Sequence, residues 1–558
     1  MRGSLWSAPV SLCTALLVVS LLAACGPGVR RLPPPSTDID EDLLRSAIRA
    51  LSSDDFAGRQ PGTAGEDKTI AYLTAQFKKL GMKPGNGESF LQQVPVVELR
   101  AGPDCTLVVA GRNGTRALGY RQDMVIWSKR AVPQAQIAHS ELVFVGYGIV
   151  APEYAWDDYA GVDVHGKTVV VMLKDPGSAD SDGKLFKGRA TTSYGRSSYK
   201  IEEAARHGAS GVLLIHDPDA SYAWDVVVDD ATAAQLVRAA PEGDAGRATI
   251  EGWLSGAAAR AIFAQAGLDF PSLTAAAGRP GFRATPMALS VDAEVHSAIR
   301  RFNSANVIAT LPGRRRRHEY IFYTAHWDQL GSSASQSGDK IYHGAVDDAT
   351  GVAGLLALAQ SFARTQPPPE RTIVFLALTG EESGLVGSAY YAANPIYPLS
   401  DTVADINMNA LHVGGPTRDV TVIGFGQSEL EGYLREAAAL QGRELHADPH
   451  PQAGEYYRSD TYSFASAGVP ALYALAGTDD SARGPIFGQA QLDDYYANRY
   501  HRPSDQYSET WDLRGMVEDL TLYYRIGMRL AQTRRFPNWL STSEFRAARE
   551  RSRDSATD

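Results

Sequence analysis

The chain has 558 residues, 44% hydrophobic and 21% charged, with a formal net charge of −10. That length admits two or three domains and a core that can stand without cross-links. The acidic balance provides no basic face for nucleic acid, and the arginine run 314–317 reads as a solvated loop ahead of a strand.

The first 24 residues read as a processing segment rather than structure. An apolar stretch over 8–24 follows Arg2 and ends Leu22-Ala23-Ala24-Cys25-Gly26. That ending resembles a bacterial lipobox. It implies a lipoprotein signal peptide over 1–24, lipidation of Cys25, and a Pro/Gly-containing tether over 25–37. The expected protein is exported and lipid-anchored on the periplasmic side of a cell envelope, at the outer membrane where the host has two. No later segment approaches ~20 uninterrupted apolar residues, so the lipid is the only membrane contact expected. With Cys13 in the leader and Cys25 acylated, Cys105 has no disulfide partner. Any zinc ligation then comes from histidine and carboxylates.

Along the mature chain, 38–51 predicts an amphipathic helix with an acidic start. Residues 54–66 (DDFAGRQPGTAGE) predict a loop, and 68–80 a second helix ended by Gly81. Residues 136–295 change character. Short β-branched runs at 141–150, 168–173 and 211–216 and a helix at 200–207 predict a separate, smaller α/β unit. From Asn306 the pattern alternates: strand 320–325, helix 351–362, strand 372–378, helix 384–392, strand 403–410, helix 426–440, strand 469–475, and a last helix 513–532. This alternation predicts an α/β fold with a mostly parallel sheet and helices on both faces. The segment 541–558 reads as a charged, frayed tail. Ligands of such sheets bind beyond the carboxyl ends of the strands.

Acid and histidine motifs fall at those ends. His326 and Asp328 follow one strand; an imidazole is a good metal ligand when a carboxylate holds its other nitrogen. Asp347 precedes a helix, where a carboxylate can bridge two ions or simply cap the helix. Glu381 and Glu382 end another strand and point in different directions, so one can bind metal while the other serves as general base. His501 lies in a distant loop, Tyr500–Asp505. Each motif alone also fits an ordinary loop histidine or a solvated acidic turn. Their gathering at strand ends is what suggests a site.

These residues resemble the co-catalytic di-zinc exopeptidases that include bacterial leucyl aminopeptidases, aminopeptidase Y and glutamate carboxypeptidase, with transferrin receptor as a non-catalytic relative. The loop Gly58-Arg59-Gln60-Pro61-Gly62-Thr63-Ala64-Gly65 resembles their N-terminal signature. Ser198-Tyr199-Lys200-Ile201-Glu202-Glu203-Ala204-Ala205 resembles a helix of their protease-associated domain. The resemblance implies a zinc peptidase domain over 38–135 and 296–540 with a protease-associated domain inserted at 136–295. It implies His326 on the first zinc with Asp328 behind it, Asp347 bridging, Glu382 and His501 on the second zinc, and Glu381 as general base. Tyr500 would donate to the tetrahedral intermediate. Ser459-Asp460 resembles a segment near the substrate pocket, with Thr461 where the family commonly has His. The family pattern also puts an Asp at position 409. Here it is Asn409, whose amide oxygen can coordinate but adds no charge, so either two ions with a weakened first site or one ion is expected. The implied activity is metal-dependent release of N-terminal residues from peptides. The alternatives are a carboxypeptidase or other amidohydrolase of the family, or a catalytically impaired binding homologue. Oligomeric state is left open.

Overall fold

The computed structural model describes residues 38–179, 185–216, 223–239, 246–333 and 338–554. The expected leader, Cys25 and the tether lie outside the described residues. All described residues belong to one compact unit, Thr37–Asp558.

The fold is α/β. Its main sheet has a parallel centre in the order Arg371–Leu378, Arg316–His326, Thr402–Asn407, Ala471–Ala476. Every residue of Arg371–Leu378 and Thr402–Asn407 is buried; the first is a near-continuous apolar run from Ile373 onward, and the second buries Thr402, Asp405 and Asn407 among its apolar residues. Both flanks are antiparallel: Thr285–Leu311 pairs with Arg371–Leu378, and Asp419–Ile423 with Ala471–Ala476. One face is covered by the almost wholly buried helix Ala349–Arg364, packed against Glu41–Leu51 and Arg514–Gln532. On the other face Tyr391 and Phe464, from the short helices Val386–Ala393 and Thr461–Ser466, close over Phe322, Val374 and Leu376.

A second sheet occupies the middle of the chain. Gln134–Phe144, Thr168–Met172, Gly211–Ile215 and Ile250–Leu254 run parallel in that order, with Met124–Trp127 antiparallel at the edge. Separate apolar clusters pack on its two faces. Cys105 is a free, buried thiol.

The two sheets share one strand. Thr285–Leu311 runs for 27 residues. Its first part pairs with Thr106–Gly111 and Gln134–Phe144, its later part with Leu91–Ala101 and Arg371–Leu378. The stretch Arg300–Ser304 is largely polar. In the structure it continues the ladder, with Ser304 buried and Arg300 exposed, because an antiparallel flank can leave one face in water.

The expected frayed tail is corrected. Residues Arg546–Asp554 form a helix, and Arg549, only 1% exposed, donates to the carbonyls of Leu399 (3.1 Å) and Thr402 (2.9 Å). The abundance of charge there concealed an anchoring arginine. No helix among the described residues is long and apolar enough to cross a membrane.

Candidate metal centre

The parallel strands deliver the predicted side chains to one end of the sheet. His326 is the last residue of its strand. Glu381 and Glu382 lie in the turn after Leu378, and Asp347 lies just before the helix Ala349–Arg364. His501 comes from the turn after the helix Pro485–Asn498. Asp347 stands between the imidazoles: its Oδ1 is 3.1 Å from His326 Nε2, and its Oδ2 is 3.3 Å from His501 Nε2. Glu382 Oε2 is 3.0 Å from the same His501 nitrogen, and Glu381 Oε2 is 4.0 Å from His326 Nε2. Ligand atoms of His326, Asp347 and Glu382 all lie within 4.8 Å of one another.

The backbone around these ligands is held by side chains that are themselves buried. Asp328 Oδ1 accepts the N–H of Glu381 (3.1 Å) and Oδ2 that of Glu382 (3.4 Å). The Asp328 carboxylate therefore orients the acidic turn. The nearest partner of His326 Nδ1 is the Asp328 carbonyl at 3.2 Å; the carboxylate is at 3.7 Å. Asp348 caps the helix through Gly351 N–H and also accepts the N–H of His326 (3.2 Å) and Ala410 (3.0 Å). Asp505 accepts the N–H of Val346 and Asp347.

Arg59 is the strongest of these supports. It is 1% exposed and donates to the carbonyls of Leu51 (2.6 Å), Trp327 (2.9 Å), His343 (2.7 Å) and Gly344 (2.9 Å). It thus ties the loop after His326 to the loop before Asp347. Gly344 sits at φ +53°, and a Cβ there would fall 2.3 Å from Asp347 O and 2.8 Å from Arg59 Nη2, so only glycine fits. The signature loop marked Arg59 as part of a motif. Its role depends on partners some 270 residues away and was invisible locally.

Position 409 lies beyond its strand, which ends at Asn407 rather than at 410. Asn409 lines the same cleft as Glu381, Glu382 and His501, and its buried Oδ1 has no hydrogen-bond partner. Glu382 Oε1 is likewise buried and unpartnered. Asp405 does not reach the site: its Oδ1 accepts from Thr324 Oγ1 at 2.9 Å within the sheet. Tyr500 stacks on His501, with ring centroids 3.9 Å apart. Asp460, which the sequence placed near the pocket, is buried with both carboxylate oxygens unpartnered.

The electrostatics describe a site crowded with acid. Burial, with Glu382, Asp460 and Asp347 adding to it against His326, raises the Glu381 carboxyl well above the ordinary range. Burial alone would lower the His326 pKa, but Glu381, Asp328, Asp347 and Asp348 outweigh it and raise the imidazole. Burial opposes ionisation of Asp347 too, yet the two imidazoles hold it ionised. Burial lowers the Arg59 pKa, opposed by the charges of Asp348, Asp505, Asp328 and Asp347. A bridging carboxylate, two imidazoles and unpartnered oxygens in acidic surroundings make a nitrogen–oxygen donor set that fits divalent zinc.

Residues 306–524 match peptidase family M28. The chain carries an M28 peptidase domain. Among curated relatives, the probable zinc metalloprotease of Pyrenophora teres f. teres is 44% identical over 108 residues, 19% of this chain and 22% of that protein. The vacuolar membrane protease of Vanderwaltozyma polyspora is 35% identical over 97 residues, 17% of this chain and 9% of that protein. The chain spans less than a quarter of the length of these relatives. Among solved structures, the aminopeptidase from Aneurinibacillus sp. strain AM-1 superposes with a TM-score of 0.48 at 21% identity, covering 88% of this chain and 94% of that one. The zinc aminopeptidase BSAP from Bacillus subtilis gives 0.43 at 17%, covering 88% and 95%. The relatives correct the expected localisation. The leader pointed to a lipid anchor at a bacterial envelope, whereas matching proteins from Vanderwaltozyma polyspora and Lachancea thermotolerans are vacuolar membrane proteases.

Proposed function

We propose that this chain is a zinc-dependent exopeptidase that removes N-terminal residues from peptides. The observation that carries the reading is Asp347, which presents one oxygen to His326 and the other to His501 beside Glu381 and Glu382. His326, Asp347 and Asn409 would hold one ion, and Asp347, Glu382 and His501 the other. Bound there, zinc supplies Lewis-acid polarisation of the scissile carbonyl and acidifies water.

The chain's own residues do the rest. Glu381 takes the proton of the attacking water on its carboxylate and returns it to the leaving amine. Asp328 fixes where that carboxylate sits by accepting the backbone N–H groups of Glu381 and Glu382. Tyr500, locked by its stack on His501, offers a hydroxyl to the developing oxyanion. The segment 136–295 serves as a protease-associated domain that supplies part of the cleft wall, Asp230 and Glu251 among it.

The test is hydrolysis of a panel of aminoacyl anilides and short peptides by the zinc-loaded full chain, with metal analysis of the same sample. Glu381→Gln is expected to lower kcat by about 10²–10⁴ while metal content is unchanged. Turnover near the native rate in that variant would remove Glu381 as the base. Absence of both metal and turnover would leave a binding homologue.

A further inference from the structure

The cleft in front of the metal centre has a volume of about 3160 Å³ and walls from both sheets. Arg458 forms part of its wall, together with Glu381, Glu382, Tyr500 and His501. The residue closes the short helical turn Glu455–Tyr457 and is followed by buried Ser459 and Asp460, so its backbone is fixed. Solvent reaches its side chain, yet protein surrounds it on most sides. It therefore lines the cleft with its side chain open to solvent.

Its guanidinium makes no hydrogen bond and no ion pair with any described residue. Arg100 and Arg502 of the same wall likewise have no side-chain partner among the described residues, but the charges of Glu381 and Glu382 reach Arg458; the remaining arginines are engaged. Arg121 pairs with Asp229, Arg206 with Glu203, Arg238 donates to the Ala389 carbonyl, and Arg196 lies over the Tyr462 ring. The acids whose charge Arg458 feels, Glu381, Glu455 and Glu382, do not contact it; with Tyr500 they favour its charged form. A planar fork of five donors, permanently charged and kept free beside a reaction centre, matches a carboxylate from the ligand.

We propose that Arg458 receives the free α-carboxylate of the residue leaving the scissile bond, which makes dipeptides the preferred substrates. This rests on the peptidase reading and narrows it. In a dipeptide the carboxylate lies one residue, roughly 3.5 Å of chain, beyond the bond being cut, and Arg458 shares a wall with the base that cuts it. A longer peptide would bring a neutral amide to the guanidinium instead. An acidic side chain on the leaving residue has the same chemistry, and the experiment separates the two.

Binding is measured by titration calorimetry on the zinc-loaded full chain carrying Glu381→Gln, so that ligand survives. The probes are Leu-Ala, Leu-Ala amide and Leu-Asp amide. Leu-Ala is expected to bind about 10- to 100-fold more tightly than either amide, the scale of a charge-assisted contact. Adding Arg458→Gln should reduce that ratio to within about 3-fold, and Arg458→Lys should keep part of it. Equal affinity for acid and amide, tighter binding of Leu-Asp amide, a ratio that Arg458→Gln leaves intact, or no saturable binding of Leu-Ala would each overturn the proposal. Because this readout is affinity, it is independent of turnover in the native chain, which decides the peptidase reading.

Discussion

Two regions of this molecule bury charge, and they do so in opposite ways. In the middle sheet, Lys200 is fully buried and donates to the Lys174 carbonyl at 3.0 Å, within reach of Asp175 and Asp158. Those acids are satisfied in turn. Asp175 accepts from Thr192 N–H and Oγ1, and Asp158 from Ile149 N–H and Trp156 Nε1. The candidate metal centre is built from the same kinds of group, but Glu382 Oε1 and Asn409 Oδ1 are buried there without partners among the described residues. A closed network of buried charge maintains architecture. One with unspent lone pairs beside a cleft is prepared for a ligand.

The contrast can be broken most severely at Arg59, which works as architecture inside the centre. Arg59→Met would strand four carbonyls and remove a buried cation from an acidic site. It should lower unfolding free energy by about 3–5 kcal/mol in urea and weaken zinc binding. Native stability and native zinc affinity in that variant would show that the loops hold themselves. A smaller effect is expected at Asn409. Asn409→Asp adds the missing charge to the half-site with His326 and should tighten zinc by about 10-fold or more in competition with a chelator. An unchanged affinity and stoichiometry would remove position 409 from the ligand set.

An effect of similar size belongs to the closed network. Burial lifts the Asp158 carboxyl from an ordinary 3.8 to about 6, so the folded chain holds that proton more tightly than the unfolded chain. Its contribution to stability is complete below pH ~4 and is lost as pH rises through about 6. Asp158→Asn cannot lose a proton there. Its stability relative to the native chain should therefore improve by about 1–3 kcal/mol between pH 4 and pH 7 in urea unfolding. A pH-independent difference would mean that Lys200 offsets the burial completely.

Much of this was legible from the chain. The strands beneath His326 and Glu381 end in mostly apolar runs, and a parallel sheet brings such runs to a common end, so the convergence of the acids could be anticipated. What could not be read was everything held by backbone carbonyls and N–H groups. Arg59, Asp348 and Asp505 act on peptide groups, which carry no sequence signature, and their partners lie far along the chain. Arg458 escaped notice for the complementary reason: its significance is that nothing among the described residues binds its guanidinium, and only three dimensions show that. The strand Thr285–Leu311 runs through position 295 without a break, and its polar residues Arg300–Ser304 gave no sign of that continuity.

The shared strand Thr285–Leu311 has a consequence for how the molecule can move. A linker between two sheets would let them swing; a continuous ladder makes them a single beam, bent only where the pairing slips between Pro286 and Ser290 and between Val291 and Ala293. The aperture of the cleft is then set at assembly, by strand register, and the middle sheet can neither be excised nor melt by itself without taking a rib out of the sheet that carries His326 and Glu381.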